Sequence, residues 1–370
     1  MRSTCLLISF ALLLLIQTGT TYAQPTNGYK DFILSGKNVI LLTKTGELKR
    51  IDVASGEPGS SIDTDVPIVA LSADRQGNIV AGDTNHQIKS YDTKLKTWHH
   101  LAPYTNKLIH IVFNSQNQCF LITSKGIVDV ASQAVYFPDS SLSRNNQIRL
   151  KNRWFESPVC FVDHQDKLWL GFNYGEWGGD VFVFDTRKRA FAPLQTDSLK
   201  MTTNPVNGFC EDQQSVYMAG GVSHMFLTHG SIIRFTDGVA TSVLQSKDRE
   251  TEVEMVFDDP KTGTKQKRIG KTWRGGHQIG PIAYNPANKQ LYFYSQNGFF
   301  SGSPNADLSD IKQWETILKP ALSRTGGSPH AAGLSINVRK MLFTANGTLL
   351  FLSEREGIGV YDGKKLRFVR

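Results

Sequence analysis

The chain has 370 residues and a formal net charge of +8, with 41 Lys and Arg against 33 Asp and Glu. That is enough chain for one large domain or two ordinary ones. The basic excess suits an acidic ligand or an anionic surface, although a solvated Lys-rich surface gives the same balance. No nucleic-acid-binding motif is recognisable, so nucleic acid is excluded as a partner.

At the N-terminus, Arg2 supplies a positive start and Leu6 to Ile16 an apolar run too short to anchor in a bilayer. Thr21-Tyr22-Ala23 places small residues where a signal peptidase reads, so residues 1–23 are expected to be a signal peptide cleaved before Gln24. Cys5 precedes the apolar run, which argues against a lipoprotein anchor. No other stretch approaches the ~20 apolar residues of a membrane span. The expected product is secreted or periplasmic, with no membrane span.

From Tyr29 onward the chain repeats. Short apolar strands ending in Ile51-Asp52, Tyr91-Asp92, Phe184-Asp185 and Tyr361-Asp362 mark the period, the first two about 40 residues apart. Residues 68–101 show the whole unit: IVALSAD, a turn at Arg75-Gln76-Gly77, then NIVAG, QIKSYD and KTWHHL. Related units begin near Tyr29, Ile109, Val159, Val206, Ile279 and Val338, punctuated by turns such as Asn346-Gly347 and Asp362-Gly363. Only Leu308 to Leu318 has the makings of a short helix. A single meander cannot bury both faces, whereas radially packed blades can. The expectation is an all-β chain, a β-propeller of seven four-stranded blades over residues 24–370; eight blades or two domains compete. Cys119, Cys160 and Cys210 each sit in an apolar strand-like run, and their odd number is no disulfide framework.

The fourth unit reads Asp163-His164-Gln165-Asp166-Lys167-Leu168-Trp169-Leu170-Gly171-Phe172, then Gly179-Asp180-Val181-Phe182-Val183-Phe184-Asp185. It resembles the D-x-x-G-x-L-W-x-G-T…G-G-L-x-x-Y-D unit of bacterial sensor-type propellers, departing at Lys167 and Phe172. Those propellers serve as periplasmic ligand-binding regions of two-component regulators. The resemblance implies a fold and leaves function open.

Strands of a blade alternate in direction, so the second-to-third-strand loop and the loop entering the next blade open on one face. The unusual loops all fall there. The entry to blade four carries Arg153 and Trp154, and its internal loop Tyr174, Glu176 and Trp177. Blade five's loop carries His224 and His229; the entries to blades six and seven carry Trp273, Arg274 and His277, and His330. Trp offers flat apolar surface, Arg a bidentate anion clamp, and His and Glu acid–base or metal chemistry. Each has a plainer reading: capped core, tight turn, surface pair. His224 and His229, five apart, match no zinc spacing. Residues 247–259 hold six acidic and two basic side chains, and 261–274 six basic and no acidic ones, which reads as an inserted, charge-complementary hairpin over 247–274.

No Walker loop, dinucleotide fingerprint, G-x-S-x-G or H-E-x-x-H is present. The leading expectation is a binding module for a small polar, anionic, glycan-like ligand, contacted by Arg153, Trp154, Tyr174, Glu176, Trp177, His224, His229, Trp273, Arg274, His277 and His330. The alternative is a hydrolase or lyase using Glu176, His277 and Arg274, with one divalent metal drawn from His224, His277, His330 and Glu176. A protein-docking scaffold is the third class.

Overall fold

Apolar segments led and closed by Asp, Asn or Gly turns are what an antiparallel meander requires. A computed structural model describes residues 28–369 apart from 54–56, 58, 146–152, 155, 197–199, 202–203, 225–226 and 323–335. The expected signal peptide lies outside the described residues. The rest forms a seven-bladed β-propeller, and six blades are complete four-stranded antiparallel sheets in chain order. Blade one has three strands, and Ile62 makes a bridge to Leu48 where a fourth would lie.

The seven innermost strands are Tyr29–Ser35, Ile68–Ala73, Leu108–Phe113, Val159–Val162, Val206–Glu211, Ile279–Asn285 and Val338–Phe343. A separate two-stranded hairpin, Arg249–Asp258 with Lys265–Arg274, leaves the ring between blades five and six. Residues 308–318 contain a single 3-10 turn, Ile311–Gln313, followed by the outer strand Glu315–Leu318.

The repeated Asp has a local task. Asp92, Asp185 and Asp362 end third strands, and in each one carboxylate oxygen accepts the backbone N–H groups two and three residues on, at 2.8–3.0 Å. The turn after the inner strand is built alike: Asp74, Asn114 and Asp163 each accept from the N–H groups two and four residues on. Such side chains satisfy turn donors that have no ladder partner. In blades four and five the same Asp also holds the core, with Trp169 Nε1 donating to Asp163 and the Tyr217 hydroxyl to Asp212, both at 2.8 Å. Gly77 and Gly347 take the left-handed fourth position of this turn, at φ 82° and 84°, and in blade four Asp166 takes it at φ 63°. The fourth repeat's glycine is therefore replaced at Asp166; Lys167 is the first residue of the next strand.

The core divides into seven clusters, one between each pair of neighbouring blades. Each buried aliphatic or aromatic side chain contributes about 1.5–3 kcal/mol, so the blades are held face to face. The ring closes without strand exchange among the described residues. Phe32, Val39 and Leu41 of blade one pack on Leu350, Leu352 and Val360 of blade seven. Lys340 bonds Asp31 and the Phe32 carbonyl at 2.7 Å, and Arg367 reaches the Val53 carbonyl.

On the face opposite the long loops, neighbouring blades are latched by buried carboxylates. Asp166 is fully buried and accepts from the Ser115 backbone N–H, the Ser115 hydroxyl and Arg187 Nε, each at 2.6 Å. Burial alone would raise its pKa; the Ser115 and Arg187 hydrogen bonds outweigh that and hold it below the usual carboxylate range. Asp129 and Arg189, 2.7 Å apart, join blades three and four in the same way.

Candidate functional site

The sequence-predicted loop residues do not form one constellation. Trp154 is a core residue, 6% exposed, its ring tilted against Phe137 and Phe172 at centroid distances of 4.5 and 5.1 Å. Tyr174 is buried in the same cluster against Phe172. Arg153 and Glu176 are exposed, as is Trp177 at 54%, its carbonyl accepting from Asn145. Trp273 and Arg274 lie on the projecting hairpin, opposite Glu250 and Arg249. His224 pairs with Leu227 at the end of a long strand pair, and His229 is half-buried on the returning strand. His330 and the His224 side chain lie outside the described residues.

His277 sits where blade five meets blade six. Its N–H donates to Ser246, and its Nδ1 lies 3.2 Å from Asn297 Nδ2 and 3.5 Å from Ser295 Oγ. Burial lowers its pKa, so the ring is neutral at neutral pH. Asp248 organises this junction by accepting the N–H groups of Thr228 and Gly276. Gly276 has no room for a side chain, because a Cβ there would stand 1.9 Å from the Thr228 carbonyl. Among the described residues, no three His, Cys, Asp or Glu side chains come together as a metal set.

The central channel forms a cavity of about 690 Å³ bounded by the inner strands of all seven blades. Its polar groups come from a repeated irregularity. Six of the seven inner strands carry a β-bulge near their start, between Tyr29 and Asp31, Ile68 and Ala70, Leu108 and His110, Val206 and Gly208, Ile279 and Ile282, and Val338 and Lys340. Blade four has none. A bulge breaks the two-residue alternation and re-aims consecutive side chains. Here it places Lys30, Asp31, His110, Asn207, Arg339 and Lys340 on the channel wall, at the end facing the long loops.

These groups form a collar. Lys340 pairs with Asp31 at 2.7 Å, and Arg339 with Glu354 at 3.0 Å. Lys30 Nζ donates to the Val69 carbonyl at 2.5 Å and has no carboxylate partner among the described residues. Burial lowers its pKa, Asp31 opposes that, and Lys107 adds to it. His110 Nε2 donates to the Pro158 carbonyl at 3.0 Å. Burial lowers the imidazole's pKa, with Asp31 raising it and Lys340 lowering it, so Nδ1 is left as an acceptor at neutral pH. Asn207 ties the rim together, donating to the Ile279 carbonyl and accepting from Asn173, both at 2.6 Å. Three cations thus face two carboxylates, leaving the rim one positive charge in excess.

Reasoning from loops missed these residues because they lie within strands. The available signal was a charged or polar residue at the second or third place of successive inner strands, as in Lys30-Asp31, His110, Asn207 and Arg339-Lys340. At the level of the collar the wall also carries Val69, Ile109, Val159 and Pro281, and below it the lining stays apolar, with Phe161, Ile282, Met341 and Leu342 among its residues. Cys160 and Cys210 also line it; burial pushes both thiols up, which makes them poor nucleophiles.

No family model matches the chain, and no curated protein matches it. Among solved structures, the extracellular domain described for a hybrid two-component system of B. thetaiotaomicron aligns with 92% of this chain at 12% identity and a TM-score of 0.53. This chain spans 38% of that one. The WD40 repeats of RRP9 align over 93% of this chain and 95% of theirs, at 9% identity and a TM-score of 0.54. The U3-55K structure aligns over 90% of each chain, at 8% identity and a TM-score of 0.53. At such identities the likeness establishes the propeller fold, which this chain shares with bacterial sensor extracellular domains. Among the described residues no helix is long and apolar enough to cross a membrane.

Proposed function

We propose that this chain is an exported binding propeller that takes an anionic ligand at the loop-side mouth of its central channel. The observation that carries this reading is the collar of Lys30, Asp31, His110, Arg339 and Lys340, built by bulges at one level of the ring and, with Glu354 counted, one positive charge in excess. A concave site with a few convergent polar groups is the usual form of a small-molecule site. The likeness to sensor extracellular domains supports the same class of role. Among the sequence-predicted residues, His277 and the loops of blades four to six would form the approach to this mouth, and Glu176 and Arg274 stand further out.

Titration calorimetry of the purified protein against a panel of carboxylate, sulfate and phosphate ligands tests this. Lys30→Gln and Arg339→Gln should each weaken binding by about tenfold, the worth of one charge-assisted hydrogen bond. Trp177→Ala and Arg274→Ala should leave it unchanged. The opposite pattern moves the site from the channel to the outer loops.

A further inference from the structure

The channel joins two chemistries that a simple anion would not use together. Its mouth carries Lys30, which has no carboxylate partner among the described residues, beside the Lys340–Asp31 pair and the neutral His110. Its wall continues through Leu71, Phe161, Phe209, Ile282, Met341 and Leu342. A hydrated oligosaccharide would leave its hydroxyls facing that wall without partners, and unmet polar groups against apolar surface are costly. An apolar body gains from the same wall, at the usual return for area removed from water.

We infer that the ligand is an anionic amphiphile, a carboxylate or sulfate head held by Lys30 and the Arg339–Lys340 rim with a chain or fused-ring body lying down the channel. This deepens the proposed function and rests on it. The glycan-like ligand expected from the loops gives way to a lipid-like or polycyclic acid. The loop Trp residues, read from the sequence as flat apolar surface, do not line the cavity: Trp154 is in the core, Trp177 on an outer turn and Trp273 on the hairpin. The head contacts set charge selectivity, and the wall sets preference for apolar bulk.

The test titrates the purified protein with decanoate, cholate, neutral decanol and an oligogalacturonate. Phe161→Trp and Leu342→Trp narrow the channel below the collar at half-buried positions, Lys30→Gln removes the head contact, and circular dichroism melts confirm that each variant folds. Decanoate or cholate should bind, with decanol at least about tenfold weaker, and both Trp variants and Lys30→Gln should weaken the anion by about tenfold or more. Decanol binding as tightly as decanoate overturns the anionic head. Oligogalacturonate binding that is lost in Lys30→Gln yet indifferent to Leu342→Trp overturns the amphiphile and keeps the anion-binding mouth. Anion binding indifferent to Lys30→Gln, or none at all, overturns both readings.

Discussion

The two faces of the disc are built by opposite rules. On the face of the short turns, one device recurs blade after blade: an Asp or Asn accepts two turn N–H groups, a left-handed residue closes the turn, and buried carboxylates such as Asp166 reach the neighbouring blade. On the loop side the repeats diverge. Bulges in six of the seven blades aim different residues at the channel, and blades four and five add long excursions. Sameness on one side holds the ring together, which leaves the other side at liberty to specialise. A rigid scaffold presenting variable residues at one end is a recurrent arrangement for recognition.

The sharpest way to break this comparison uses two tryptophans of the loop side. Trp154→Ala should cost roughly 3–5 kcal/mol in denaturant unfolding, because it empties an aromatic site among Phe137, Phe172 and Phe182. Trp177→Ala, on an exposed turn, should stay within about 0.5 kcal/mol. Equal effects would mean that loop and core residues on this side cannot be separated by burial.

Next is the latch face. Asp166→Asn removes a buried charged acceptor from Ser115 and Arg187 and should cost about 2–3 kcal/mol at pH 7 while leaving ligand affinity alone. The Asp166 pKa is depressed in the folded state, so its contribution is present above the unfolded value near 3.8 and lost as pH falls through the lower folded value. Stability of the parent should therefore drop below about pH 4, and in Asp166→Asn that acid limb should be shallower. Asp129, also depressed and paired with Arg189, keeps part of the slope. An unchanged limb would remove Asp166 from the latch.

Lys30→Gln should do the reverse: an affinity loss of about tenfold with stability changed by less than about 1 kcal/mol, since Lys30 makes a single hydrogen bond to a carbonyl. A large melting shift without an affinity change would make the collar structural. The smallest effect is expected on the hairpin. Glu254→Ala breaks an ion pair with Lys267 in which both partners are largely exposed, and should change stability by no more than about 0.5 kcal/mol.

The strand order, the seven inner strands and the turn chemistry were legible because they are local: alternation, turn residues and a repeated Asp within each unit. The Ile51-Asp52, Tyr91-Asp92, Phe184-Asp185 and Tyr361-Asp362 pairs mark third-strand ends in the structure, and three of those carboxylates visibly cap the turns that follow. The fate of the loop aromatics was not legible. Nothing in the local sequence distinguishes Trp154 or Tyr174 from Trp177, and only packing in the cluster with Phe172 and Phe182 decided that they belong to the core. The channel collar escaped for a related reason. A bulge shows itself as a shift in pairing register with the next strand, and residues as distant as Asp31 and Lys340 become partners only when the ring closes. Sequence by itself determined the repeating blade, since each blade's hydrogen bonds lie within about 45 residues. Tertiary closure decided which side chains share the channel, because that neighbourhood is made by seven strands that meet nowhere along the chain.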